Sequence, residues 1–312
     1  MNYPPIALFV YARPEHTHLT VQALQKNTLA TQSDLFIFSD AAKSDSQKKA
    51  VEQVRDYVNK ITGFKSITIF EQEKNMGLAN SIIDGVSAIC EQHDMVIVLE
   101  DDLETSPYFL DYMNKALLRY KNDTKVMQIS GHMFDVDINC TEDAFFLPFA
   151  TSWGWATWAN RWSLFDENCS GYHQLKNDKS AIKLFNLDNS YPYFKMLEAQ
   201  IAGKIDSWAI RWNLTVFLNK GFVLFPKASL VSNHGFDGSG VHCGNDESDA
   251  VTLNFFEVEK LPQHIKVEEQ YKIKVFDFLR KNNILKNKFI CNISIFMQKI
   301  KRFVNYQVKG LE

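Results

Sequence analysis

Glu100, Asp101 and Asp102 follow directly on the apolar run Met95 to Leu99, so three carboxylates stand at the end of an expected buried strand. Adjacent like charges repel, and a bound cation is the economical relief. Carboxylate oxygens are hard ligands that suit Mg²⁺ or Mn²⁺, usually one or two of them while substrate phosphates complete the shell. The bland alternative is a solvated helix start, because Ser106 and Pro107 form a good cap and first-turn pair just beyond.

The elements that must position these groups are legible in the first hundred residues. Apolar runs IALFVYA (Ile6 to Ala12), DLFIFSD (Asp34 to Asp40), SITIFEQ (Ser66 to Gln72) and MVIVL alternate with helical patterns at His18 to Asn27, Gln47 to Lys60 and Leu78 to Glu91. That alternation predicts βαβ units and a mostly parallel sheet. Ligands of such sheets bind beyond the carboxyl ends of the strands. Arg13 follows the first strand, Asp40 ends the second, and Lys74, Asn75 and Gly77 lie between the third and its helix, so polar groups converge on the edge that carries the triplet.

After VMQIS (Val126 to Ser130), a fifth expected strand, the alternation lapses. An aromatic segment, SWGWATWANRW, runs from Ser152 to Trp162, with Trp155, Trp158 and Trp162 at helical spacing, which predicts a core face. Sugar rings also stack on aromatic faces, and Trp153 and Trp155, beside Gly154, are the candidates for that role. Helical patterns near 181–187, 193–202 and 208–218, a strand FVLFP and a glycine-rich loop NHGFDGSGVHCG complete this half.

The 312 residues are 46% hydrophobic and 23% charged, the balance of a globular protein, and a formal net charge of -3 argues against a surface that grips nucleic acid. Five cysteines, widely spaced and without a CxxC pair, suit reduced thiols rather than a disulfide frame or structural zinc. With no signal-like segment at the N-terminus, a cytoplasmic chain is expected. From Phe278 to Leu311 there is no acidic residue, and Phe289, Ile293, Phe296, Met297, Ile300, Phe303 and Val304 recur at helical spacing. Such a helix suits the inner face of an anionic membrane or a docking site on protein.

The stretch VIVLEDDLETSPYFLDYM resembles the GT-A glycosyltransferases, most closely the N-acetylglucosaminyltransferase I type and its bacterial relatives. VMQISGHM, SWGWATWANRW and Asp206-Ser207-Trp208 follow in the family's order, and the resemblance runs from Ile6 to Gly244. It implies an α/β GT-A fold, Rossmann-like, with a mostly parallel sheet flanked by helices, a C-terminal acceptor lobe and a helical tail. Residues 1–130 would form the nucleotide-sugar-binding half, 131–260 the acceptor and catalytic half, and 261–312 a basic amphipathic tail.

By the same resemblance Asp102 is the direct ligand of Mn²⁺ or Mg²⁺, with Glu100 and Asp101 on the ribose, diphosphate or metal-bound waters. Arg13 and Asp40 would hold the nucleotide, Lys74, Asn75 and Gly77 would flank its base, and His242, or alternatively His234, would complete the metal or diphosphate site from the loop. Asp206 matches the family's general base, although its context also fits a helix N-cap. The implied activity is inverting transfer of a hexosyl or N-acetylhexosaminyl group from a nucleotide-sugar, a UDP-sugar favoured, to a glycan or lipid-linked acceptor in bacterial surface polysaccharide synthesis. A nucleotidyltransferase would be expected to carry a glycine-rich phosphate loop with a lysine, which YARPEHTH lacks. A non-catalytic glycan-binding protein would explain the tryptophans but not the triplet.

Overall fold

The computed structural model of the chain describes residues 3–237 and 251–284. Its first half alternates as expected: β1 (Ile6–Val10), α1 (Pro14–Gln25), β2 (Asp34–Ser39), α2 (Asp45–Val58), β3 (Ser66–Glu71), α3 (Leu78–Cys90) and β4 (Met95–Glu100). There follow β5 (Leu103–Thr105), α4 (Phe109–Arg119), β6 (Val126–Ser130), β7 (Ala144–Leu147) and β8 (Trp155–Trp158). The remainder is α5 (Ala159–Trp162), α6 (Tyr172–Lys176), α7 (Lys179–Phe185), α8 (Tyr193–Ile201), α9 (Trp208–Leu218), β9 (Phe222–Pro226) and β10 (Val231–Asn233), with residues 269–284 helical.

Eight strands form one sheet in the order β3-β2-β1-β4-β8-β6-β9-β7. β3, β2, β1, β4, β6 and β9 run the same way, and only β8 and β7 oppose them, so the fold is α/β with a mostly parallel sheet flanked by helices. The period of two in the central strands divides two cores. Ile6, Leu8, Val10, Ile97 and Leu99 face one with α1, α2 and α4, while Ala7, Phe9, Val96 and Val98 face the other with α3 and α9. Burial on both faces is why these strands read as unbroken apolar runs.

Two local expectations need correction. Trp155 and Trp158 do not share a helix: they begin and end β8, so three residues apart they face opposite cores, and only Ala159–Trp162 turns into helix. Helix α1 begins at Pro14 rather than near His18, because proline at the first helical position is pre-set for the turn.

The segment after β10 packs on the same body. Val258, Leu261, Ile265 and Val267 join the first core, and Tyr271, Val275, Phe276 and Leu279 of the last described helix join the second. The basic amphipathic stretch from Phe289 onward lies outside the described residues. No described helix is long and apolar enough to cross a membrane.

Candidate active site

β1 and β4 are neighbours, with Phe9 opposite Glu100, so the turn after β1 meets the triplet after β4. Arg13 occupies the N-cap position of α1 without capping it, which leaves its guanidinium free to grip both aspartates. Nη1 donates to Asp102 Oδ2 at 3.0 Å and Nη2 makes a tighter bond to Asp101 Oδ1. Asp101 is held further by Tyr11 N on Oδ2 at 3.2 Å and by the Thr20 hydroxyl on its carbonyl at 2.8 Å. Side-chain exposures of 18%, 4% and 7% for Arg13, Asp101 and Asp102 make this a largely desolvated charge cluster.

The charges settle unevenly. Burial works against the Arg13 charge, but Asp101 and Asp102 outweigh it and its pKa rises. Burial raises Asp101 despite the opposing pull of Arg13. Glu100, pushed up to about 8 by burial and then by Asp102 and Asp101, holds its proton near neutrality. One arginine and one protonated carboxyl thus relieve the repulsion evident in the sequence. Asp102 Oδ1 is left buried with no hydrogen-bond partner. An orphaned carboxylate oxygen beside a second carboxyl fits a divalent cation that takes few protein ligands, although no ready cage of three or more His, Cys, Asp or Glu gathers among the described residues.

Asp40 is differently employed. Its Oδ1 accepts from Ala41 N and Met76 N, both at 2.8 Å, and its Oδ2 from Asn75 Nδ2 and Gly77 N, both at 2.9 Å. Four donors fill the roughly four lone-pair sites of a carboxylate, and only 7% of the residue is exposed. Asp40, expected to hold the nucleotide, thus has its carboxylate filled from within the chain: it ties the end of β2 to the turn before α3. Asn75 also bonds the Ala41 carbonyl at 2.7 Å, Gly77 takes φ 76° at the N-cap, and Lys74 is exposed on the same turn.

The short ribbon of β5 and β10 pairs Leu103 with Asn233 and so carries the following residues back over the triplet. His234 N donates to the Asp102 carbonyl at 2.9 Å, whereas its ring Nε2 lies 2.7 Å from Glu104. The backbone of His234, not its imidazole, meets the triplet. A Cβ at Gly235 would stand 2.4 Å from Asp102 Oδ2, so only glycine lets the chain pass this close. His242 lies outside the described residues.

Trp153 is half-buried beside this turn, edge-on to Phe236 at 5.6 Å and to His132 at 4.5 Å. Trp155 is a correction: it is wholly buried, stacked on Trp208 at 5.0 Å among Trp162 and Trp212, and cannot floor a sugar pocket. His132 went unpredicted; it is buried with Nδ1 unpartnered, and burial pushes its pKa down to about 3. Its only signal was a lone histidine after β6, which carries no pattern.

Ser207, not Asp206, caps α9, its hydroxyl accepting from Ile210 N at 3.4 Å. Asp206 is 61% exposed and pairs with the buried Arg211 guanidinium, which also approaches Glu167 at 4.0 Å. Trp155 lies opposite Val98, two residues before Glu100, and Trp208 stacks on Trp155. That contact brings Trp208, at the start of α9, toward the carboxyl end of β4.

No protein-family model and no curated protein matches the sequence. Among solved structures, the chain is similar to a mannosyltransferase, PcManGT from Pyrobaculum calidifontis in complex with GDP-Man and Mn²⁺, at 13% identity and TM-score 0.29 over 41% of this chain and 35% of that one. It is also similar to S. aureus TarS, at 12% identity and TM-score 0.39 over 73% of this chain and 36% of that one. The 1–349 form of TarS gives 12% and 0.38 over 73% and 59%. The chain thus spans between about a third and three fifths of the matched structures, 35% to 59%. At such distance only the site geometry bears on function.

Proposed function

We propose that the chain is a metal-dependent inverting GT-A glycosyltransferase, moving a hexosyl or N-acetylhexosaminyl group from a nucleotide-sugar, a UDP-sugar favoured, to a glycan or lipid-linked hydroxyl. The observation that carries this is the unpartnered Asp102 Oδ1 beside Arg13 at the carboxyl ends of β1 and β4. There β1 is flanked by β2 on one side and β4 on the other, the strand-order reversal where open parallel sheets bind nucleotides.

Asp102 would hold Mg²⁺ or Mn²⁺ directly, with Glu100 and Asp101 on the ribose, diphosphate or metal-bound waters, and the cation as a Lewis acid would stabilise charge on a departing diphosphate. Arg13 supplies a second, fixed positive charge whose planar donors match phosphate oxygens. Asp40 shapes the Asn75–Gly77 turn that flanks the base, with Lys74 at its rim. Trp153 offers its exposed part to a sugar face. On the opposite side Asp206, oriented by Arg211, accepts the proton of the attacking acceptor hydroxyl. A role in surface polysaccharide synthesis at the inner face of a membrane, with the basic tail on anionic lipid, completes the reading.

The test is hydrolysis and transfer with a panel of UDP-, GDP- and dTDP-sugars, with and without Mn²⁺ or Mg²⁺. Turnover of a UDP-sugar only with metal supports the proposal, and no turnover of any donor defeats it.

A further inference from the structure

β3 closes one end of the sheet, and among the described residues it pairs only with β2. An edge strand offers unpaired N–H and C=O groups to any other strand, and proteins usually blunt it with a proline, a bulge or a charge within the strand. β3 has none of these. Its register with β2 runs unbroken from Asp34–Ser66 to Ser39–Glu71, and SITIFE carries no proline and no charge before its last residue. Every residue of it is exposed or half-buried. Gln72 N donates to the Ser39 carbonyl at 2.9 Å, so by alternation Ser66, Thr68 and Phe70 turn their backbone groups to β2, while Ile67, Ile69 and Glu71 turn theirs to the open edge. Lys65, before the strand begins, departs from the alternation, its N donating to the Ser33 carbonyl at 3.0 Å.

The side chains say what fits that edge. Phe9 stacks on Phe38 at 4.9 Å and Phe38 on Phe70 at 5.0 Å, so a row of rings crosses β1 and β2 and stops at Phe70, which is 43% exposed. On the other face Ile67 and Ile69 join the first core only in part. The stretch from Lys65 to Glu71 reads KSITIFE. Reversed against itself about Thr68, it sets Lys65 opposite Glu71, Ser66 opposite Phe70, Ile67 opposite Ile69 and Thr68 opposite Thr68. Opposite charges, paired β-branched residues and threonine pairs are cross-strand combinations that stabilise antiparallel strands. In this register Ile67 meets Ile69 with the backbone groups of both turned outward, as a hydrogen-bonded pair requires. A slip of one residue mismatches those groups, and a slip of two sets Glu71 or Lys65 against an isoleucine. Lys65 already pairs with Asp34 at 2.8 Å and Glu71 with Arg55 at 3.4 Å, but their side chains, 49% and 38% exposed, remain within reach of a second strand.

We propose that the chain forms a two-fold dimer in which β3 of one copy adds antiparallel to β3 of another about Thr68, joining two eight-stranded sheets into one. The occupant of the edge is a second copy because the strand is complementary to its own reverse. The dimer stands on the strand alone and is independent of the glycosyltransfer reading.

The experiment is sedimentation velocity on the full chain from about 1 μM to about 1 mM, a range that spans modest affinities. A monomer–dimer equilibrium is expected. Thr68→Glu places a charge on the two-fold axis, where it faces its own copy, and should weaken the dimer about tenfold or more. Lys65→Glu and Glu71→Lys, each alone, set like charges opposite at both ends of the paired strands and should also weaken it. An equimolar mixture of those two variants should associate more tightly than either alone, because each end then joins opposite charges. The mixture carries the same loss of internal pairing as its components, so its recovery reports the interface rather than folding, and thermal midpoints check that each variant folds. A monomer at every concentration, a dimer unaffected by Thr68→Glu, or a mixture no tighter than its components overturns the proposal.

Discussion

Arg13 Nη1 stands 3.0 Å from Asp102 Oδ2, while the other oxygen of the same carboxylate is buried with no partner. One half of Asp102 is thus committed to a fixed internal cation and the other is left for something not in the chain. The division explains how an acidic triplet persists at the end of a buried strand: Arg13 offsets two carboxylates and Glu100 keeps its proton.

Replacing Arg13 tests that balance. Arg13→Ala leaves Asp101 and Asp102 buried without their counter-charge, and loss of one partner from a buried pair costs about 3–5 kcal/mol. With the Arg13 side chain 18% exposed, the lower end, about 3 kcal/mol, is expected in urea unfolding. Arg13→Lys should recover little, because a single ammonium does not span two carboxylates as the guanidinium does. Added Mn²⁺ should raise the thermal midpoint of Arg13→Ala more than that of the wild type. A variant as stable as the wild type would show that the cluster does not need its arginine.

Asp40 carries a prediction of a different kind. With four donors on its carboxylate, its removal frees the amides of Met76 and Gly77 rather than a contact to ligand. Asp40→Ala should cost about 1–3 kcal/mol, the penalty for leaving buried donors unsatisfied, and should speed hydrogen exchange at those two amides. Weakened UDP binding with unchanged exchange there would instead identify a direct nucleotide contact.

The central strands β1 and β4 were legible because they are buried on both faces and separated by helical periods, which single-sequence patterns register well. The triplet was legible for the same reason: three charges after MVIVL break the apolar run. The partners of the triplet were less so. Arg13 is one arginine before a proline, and only strand order places it over Asp101 and Asp102. Trp155 misled because a spacing of three also fits a four-residue strand followed by a helical turn. Asp40 stands directly after β2, as the strand pattern implies, but which atoms fill its carboxylate depends on the loop from β3, fixed by tertiary contact alone.

His132 predicts a pH dependence of stability. Burial holds its pKa near 3, against 6.5 in a solvated histidine, so between these values the unfolded chain binds a proton that the folded chain does not. Stability then falls as pH is lowered from about 6.5 toward 3, with a limiting slope of about 1.4 kcal/mol per pH unit from this group. His132→Phe should show a shallower decline between pH 7 and 5 in urea titrations. Parallel curves for the two proteins would show that His132 is not held neutral by the fold.

Asp206 provides the separation between donor binding and chemistry. It is exposed and paired to the buried Arg211, two residues before the Trp208 that stacks on Trp155. If Asp206 takes the acceptor proton, Asp206→Asn should leave UDP affinity unchanged and lower kcat by about 10²–10⁴-fold, the usual contribution of a positioned general base. Arg211→Gln should lower kcat less, because it disorders the carboxylate without removing it. A kcat within a few-fold of wild type in Asp206→Asn would place the base elsewhere and leave the Asp206–Arg211 pair a structural tie at the start of α9.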